Sequence, residues 1–298
     1  MAGSLAVSVA GLLLDDRTVN GEPVWLKPMK FSVSVGIYAV TLAWLLSLLR
    51  HRFARRFGTV TTAVLVIEMV IIIGQALRGT ASHFNNLTAL DATLYRVMGA
   101  SIVVLWVVSL VIAVLVLRQR FAEPSVLWAI RIGLGLALVG MTVAFLMTVP
   151  TSDQIAAVQA GARPAMLGAH SVGVPDGGPG MPITHWNRTG GDLRVPHFFG
   201  LHALQAMPLL ALALRRFTTL AESVRTHLVA VAGAGYAGWE LLVTWQALRG
   251  QSLTAPDTLT LAALGALVVS VAAGVTYVLL AGARRRASLP ERQLIQST

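Results

Sequence analysis

Two acids, Glu68 and Glu240, stand inside runs that are otherwise almost wholly apolar. A carboxylate held at mid-bilayer costs roughly 2.5–3.5 kcal/mol on insertion scales, so an acid kept there is by default a functional candidate. The chemistry open to it is the uptake and release of a proton or a cation. Both acids recur in the same setting. Glu68 leads to Gln75-Ala-Leu-Arg-Gly79 and then Leu87-Thr-Ala-Leu-Asp91, and Glu240 leads to Gln246-Ala-Leu-Arg-Gly250 and then Leu253-Thr-Ala-Pro-Asp257. Two matches in the same order, at matching points of two apolar hairpins, mark an internal repeat. The repeat predicts a paired proton or cation site formed by Glu68 and Glu240. The alternative is two neutral acids, each hydrogen-bonded to a neighbouring helix.

Gln75, Arg78, Gln246 and Arg249 close the two acid-bearing runs. As a site, paired arginines would receive an anionic headgroup or a carboxylate. As punctuation, Arg-Gly ends one helix, and Thr88-x-x-Asp91 or Thr254-x-x-Asp257 opens the next as a capping box. The second reading accounts for both aspartates.

Histidine placement is the next signal. His83, His170, His185, His197 and His202 fall on one side of the chain's predicted layout. The first repeat is five residues longer than the second between its glycine and its Leu-Thr-Ala, and the extra length contains Ser82-His83-Phe84-Asn85. His83, His197 and His202 are therefore candidate ligands for zinc or haem. Spacing counts against a simple chelate. His197 and His202 are about 140° apart around a helix at ~100° per residue, so they join one ion only if His197 precedes the helix.

The elements that position these groups follow from composition. The chain is 55% hydrophobic and 12% charged, with mean hydropathy +0.71. Seven runs are long enough to span a bilayer: 31–49, 60–77, 98–117, 127–149, 198–214, 228–248 and 259–281. An all-α, seven-helix membrane protein is expected, as one transmembrane domain over 31–281. Residues 1–30 form an outer interfacial tail, 150–196 an outer loop and 282–298 a basic cytoplasmic tail. In that tail 5–14 is an interfacial segment, and Trp25, Lys27, Pro28 and Lys30 anchor the first helix at the headgroups. The long loop carries one short helix from Ser152, and Asp192-Leu-Arg194 folds it down at the membrane edge.

The net charge of +10 is distributed as orientation and not as a nucleic-acid surface. Fourteen arginines, from Arg50 to Arg292, lie on one side with only Glu123, Glu222 and Glu291 among the acids. By the positive-inside rule the N-terminus is outside and the C-terminus cytoplasmic, with anionic lipid as the basic side's partner. The repeat then groups the helices 3+1+3 with parallel halves, a pattern recurrent in transporters. Gly133, Gly135 and Gly140 in the middle helix allow close packing. Only two lysines exist, Lys27 and Lys30, so no seventh-helix lysine can hold retinal, and the absence of cysteine excludes disulfides and thiolate ligands. The arginine-rich, lysine-poor composition points to a bacterial inner membrane, and the chain is compatible with a homo-oligomer.

The segments Ser-His-Phe-Asn, Gly-Gly-Asp-Leu-Arg and His-Phe-Phe-Gly-Leu-His-Ala-Leu-Gln resemble those of bacterial multi-pass membrane proteins with no assigned activity. The resemblance implies a membrane fold and nothing about chemistry. Seven helices with scattered His and Asp also resemble membrane zinc hydrolases of the alkaline ceramidase type, but their Ser-x₃-His and His-x₃-His patterns are missing here. The leading expectation is a small-solute or ion transporter with an outward-opening polar cavity. That cavity is floored by Glu68 and Glu240 and rimmed by Arg78, Arg249 and the histidines. The rival is a membrane enzyme or redox protein with an outer metal or haem.

Overall fold

The computed structural model describes residues 1–287, so the end of the basic tail, with Glu291 and Arg292, lies outside the described residues. Seven helices are long and apolar enough to cross a membrane: α2 (Leu26–Leu48), α3 (Ala54–Leu77), α4 (Ala89–Arg118), α5 (Pro124–Met147), α7 (Arg194–Phe217), α8 (Glu222–Leu248) and α9 (Thr258–Ala287). The shortest, at 23 residues, reaches about 35 Å at 1.5 Å per residue, against a hydrocarbon layer of about 30 Å. This is consistent with an integral membrane protein. Several helices outrun their apolar stretches at the polar ends. α4 starts at Ala89, where Thr88 caps a polar first turn ahead of the hydrophobic run, and α2 starts at Leu26 with no side-chain cap.

Residues Ala2–Leu14 form a helix, α1, that lies antiparallel along the first half of α2. Ser32 Oγ donates to Ser4 Oγ at 3.0 Å, Gly11 faces the Trp25 ring, and Gly36 approaches Met1. Ser4, Ser8 and Gly11 are small residues on one helix face, which lets the two backbones come close. A hairpin of β1 (Thr18–Val19) and β2 (Glu22–Pro23) connects them. Its turn residues Asn20 and Gly21 both have positive φ, 50° and 75°, as a two-residue hairpin loop requires.

The remaining helices fall into two groups. α3 packs on α2 and α4, whereas α8 packs on α5, α7 and α9, and α5 has its largest contact with α7. Glycine makes the α5–α7 contact possible: a Cβ on Gly133 would meet the backbone of Ala203, and one on Gly140 the backbone of Gly200. Gly135 faces open space and plays no such part. Toward the arginine-rich end, Leu45, Ile112, Val116, Ile130, Met207 and Val229 close an apolar core drawn from five helices.

At the other end, the segment between α5 and α7 forms an ordered cap. Helix α6 (Ser152–Gln159) opens it with a capping box of Thr151 and Gln154, and β3 (Ser171–Val172) pairs antiparallel with β4 (Gly191–Asp192). A loop without apolar period is ordered here by hydrogen bonds to both helix groups. Asn86 N–H donates to Ala165 O and Leu167 N–H to Phe84 O on one side, and Ser252 Oγ donates to Asn187 O on the other.

Candidate functional site

The duplicated Gln-Ala-Leu-Arg-Gly segments fold alike. Gly79 and Gly250 have φ of 67° and 70°, in the left-handed region that favours glycine. In each copy the glycine N–H bonds the carbonyl three residues back, and the next N–H bonds the glutamine carbonyl: Thr80 to Gln75 at 3.0 Å and Gln251 to Gln246 at 3.1 Å. These are paired Schellman closures. Each arginine then reaches the aspartate that opens the following helix. Arg78 Nη1 lies 2.6 Å from Asp91, and Arg249 Nη2 lies 2.5 Å from Asp257. Both arginines are thus engaged in joining consecutive helices.

The copies differ in the details that surround them. Asp91 is buried and also receives Gln75 Nε2 at 2.9 Å and the Thr88 hydroxyl at 2.6 Å. Thr88 caps α4 as expected, accepting from Asp91 N–H. In the second copy Gln246 donates to Ser252 O instead. The cap is Asp257, not Thr254: Asp257 Oδ1 accepts Thr260 N–H at 2.8 Å. Pro256 explains the shift, since it restricts the residue before it and pushes the helix start downstream. The Arg249 bonds hold the Asp257 carboxyl below the usual carboxylate range.

Glu68 and Glu240 are both buried. Their helices have no main packing partner in common. Glu68 Oε1 and both carboxyl oxygens of Glu240 have no hydrogen-bond partner. Glu240 is pressed against Gly200 of α7, beside the α5–α7 crossing. Glu68 lies on the α2 side, within electrostatic reach of Lys27.

On the cap side of these acids, α2 (Lys27, Phe31), the α3–α4 turn (His83, Phe84), α4 (Tyr95) and the cap (His170) meet in a cluster of rings with one cation beside it, and His197 of α7 acts on His83 electrostatically. Ring contacts define it: Phe31 to His83 at 6.0 Å, His83 to Tyr95 at 6.4 Å and Phe84 to His170 at 4.8 Å. The Lys27 ammonium sits 5.9 Å from the centre of the Phe31 ring. Burial, and then the positive charges of Lys27, His170 and His197, push His83 well below the usual histidine range. Burial lowers His170 as well, although Asp176 opposes it.

The three histidines are held alike. Nδ1 is bonded to Ser82 Oγ at 3.0 Å for His83, to Asp176 Oδ2 at 2.9 Å for His170 and to Gly140 O at 2.8 Å for His197. His202 lies a turn and a half deeper in α7, ring-packed on Phe198 at 4.4 Å, with Nδ1 near Gln205 Oε1 at 3.1 Å. His197 is inside α7 and not before it, so the two do not converge on one ion. Among the described residues no three His, Asp or Glu side chains are arranged to hold a metal.

The cap is clamped by Arg194, which bonds Asp192 Oδ2 at 2.7 Å, Glu22 Oε1 at 2.9 Å and His185 O at 2.6 Å. Lys30 adds Glu22 and the Thr184 carbonyl. Glu22 is held below the usual range by Lys30 and Arg194, against the upward push of burial. Trp25 is buried with its indole N–H on Asp15 at 2.8 Å, and Lys30 belongs to the clamp. Lys27 and His170 are the site residues that sequence reasoning missed. The available signal was that the chain uses arginine everywhere else, yet places its only two lysines four residues from Phe31 or closer.

Compared with protein-family models, curated proteins and solved structures, the chain matches none.

Proposed function

We propose that this membrane protein is a transporter of a small solute or ion, working at the seam between the α2–α4 and α7–α9 groups. The observation that carries the reading is the pair of intramembrane carboxyl groups left without partners, Glu68 within electrostatic reach of Lys27 and Glu240 against Gly200 of α7. Groups so costly to bury and so free of structural bonds suit a cycle of proton or cation uptake and release. Support for parallel three-helix repeats comes from the two Schellman closures with their Arg–Asp links. In this reading the cap is outside, the arginine-rich end faces the cytoplasm and anionic lipid, and the membrane is a bacterial inner membrane.

The test is solute-driven proton movement in proteoliposomes. Glu68→Gln and Glu240→Gln remove charge but little volume. Each should alter the pH dependence of uptake while leaving membrane insertion intact. Unchanged pH profiles in both variants would remove the acids from the cycle.

A membrane enzyme or redox protein with a metal or haem has one observation in its favour. His170 and His197 each hold Nδ1 on an acceptor and leave Nε2 free, as metal-bound histidines do. Metal analysis and a visible spectrum of the purified protein separate the two readings.

A further inference from the structure

We propose that the seam between α2 and α7 binds a molecule from the lipid phase that carries an aromatic hydroxyl, whose O–H is accepted by Nε2 of His202. The site needs the membrane fold alone and stands whether or not the protein transports a solute.

The acceptor is fixed by a chain of hydrogen bonds that starts on the backbone of α2. Thr41 Oγ1 gives its only proton to the Ile37 carbonyl at 2.8 Å, so it can only accept from Gln205, 3.2 Å away. The group that Gln205 turns to Thr41 is therefore its NH2. That leaves the Gln205 carbonyl oxygen toward His202 Nδ1, at 3.1 Å. An amide oxygen cannot donate, so Nδ1 carries the proton, and in the neutral ring Nε2 is a bare acceptor. The two ring nitrogens point in nearly opposite directions, which aims Nε2 away from Gln205. His202 makes no other hydrogen bond among the described residues.

The surroundings select an apolar, flat donor. His202 is part-exposed on a face of α7 that it shares with Phe198 and Leu209, which are 42% and 63% exposed. On α2, Ile37 and Val40 beside Thr41 are 44% and 73% exposed. Both helices are long and apolar enough to span a membrane, so what meets this face is lipid and what dissolves in it. At 1.5 Å per residue His202 lies roughly 12 Å along α7 from Arg194, inside a hydrocarbon layer of about 30 Å. An acceptor left open in hydrocarbon is costly, and an apolar molecule with one O–H satisfies it. The neighbouring rings make that molecule aromatic. Phe198 stands edge-on to His202 at 4.4 Å and Trp186 edge-on to Phe198 at 5.5 Å, so a hydroxyl-bearing ring continues an edge-to-face row.

The experiment uses the full-length protein in lipid nanodiscs, titrated calorimetrically with para-nonylphenol and with its methyl ether, para-nonylanisole. The two probes match in size and apolarity and differ in the hydroxyl proton, and uptake by empty nanodiscs is subtracted. The phenol should bind at least about fivefold tighter than the ether, the margin that one hydrogen bond gives. His202→Asn keeps a donor where Nδ1–H stood and deletes Nε2, so both probes should then bind alike, at the ether's affinity. Nitrogen NMR of histidine-labelled protein reads the ring without any ligand: the signal that His202→Asn removes should be that of a ring protonated at Nδ1. Thr41→Val deletes the hydroxyl that orients the Gln205 amide. It should move the ring proton toward Nε2 and lower the preference for the phenol, which decides the matter even if His202→Asn fails to fold. Equal binding of the two probes by the unaltered protein overturns the proposal. So does binding of neither, which a second copy covering this face would produce. An undiminished preference in His202→Asn, or a His202 ring protonated at Nε2 in the unaltered protein, overturns it as well.

Discussion

Glu240 Oε1 occupies the place where a side chain on Gly200 would begin. The same glycine touches the backbone of Gly140, so α5, α7 and α8 converge where one partnerless carboxyl is stored. Gly200→Ala should therefore force either α5 or the Glu240 side chain to move, at a cost of about 1–3 kcal/mol for overpacking. Thermal melting in detergent measures it. Gly135→Ala, which meets nothing and replaces a mid-helix glycine, should not lower the melting temperature.

The two Arg–Asp links are alike in geometry but differ in burial. Asp91 is 2% exposed, whereas Asp257 is 38% exposed at its side chain. Arg78→Ala strips a buried acceptor of its cation and should destabilise by roughly 1–3 kcal/mol. Arg249→Ala should have little measurable effect, because exposed pairs contribute weakly. Equal melting temperatures for the two variants would contradict the burial difference.

Closure of the cap should weaken in acid. His83 and His170 bind protons less readily in the folded cap than in an opened loop, where their affinity returns to the ordinary value near 6.5. Opening therefore takes up protons, so the stabilisation is present above about pH 6.5 and is lost as pH falls toward the lowered folded values. Hydrogen exchange at Leu167, Ala169 and Leu193, whose N–H groups hold the cap in place, should become faster at pH 5 than at pH 7.5 after correction for intrinsic rates. His83→Gln should flatten that dependence. A cap equally protected at both pH values would show that these rings do not couple to closure.

Orientation is tested by fusion. A reporter active only in the cytoplasm should work when joined after Thr298. Activity restricted to the opposite side would reverse the assignment of the cap to the outer face.

The spanning helices were legible because a bilayer requires about 20 apolar residues in succession, and such runs announce themselves. The helix ends around Gly79 and Gly250 were legible too, since glycine supplies the positive φ that both turns adopt. The ring cluster was not. Lys27 next to Trp25 reads as a headgroup anchor when only neighbours in sequence are visible, yet Trp25 is buried against Gly11 of α1 and Lys27 feels the charges of Asp176 and Arg194. His170 gave no helical or metal-ligand spacing, because its partner Asp176 is in the same irregular loop and its ring neighbour Phe84 is 86 positions away. A repeat relates Glu68 and Glu240 by position, whereas helix packing, which no local pattern encodes, decides how far apart such positions lie.

The cap is bonded at one edge to the α3–α4 turn and at the other to the α8–α9 turn. At the opposite end the ties are single side chains: Arg50 N–H to Gln119 joins α2 to α4, Glu123 joins Arg215 and Arg225, and Arg131 of α5 donates to the carbonyls of Leu117 and Gln119 across the two groups. The molecule is therefore strapped at one end by a folded segment and laced at the other by separate side chains. One substitution cuts a lace, whereas the backbone bonds of Asn86 and Leu167 that hold the strap survive the loss of any one side chain.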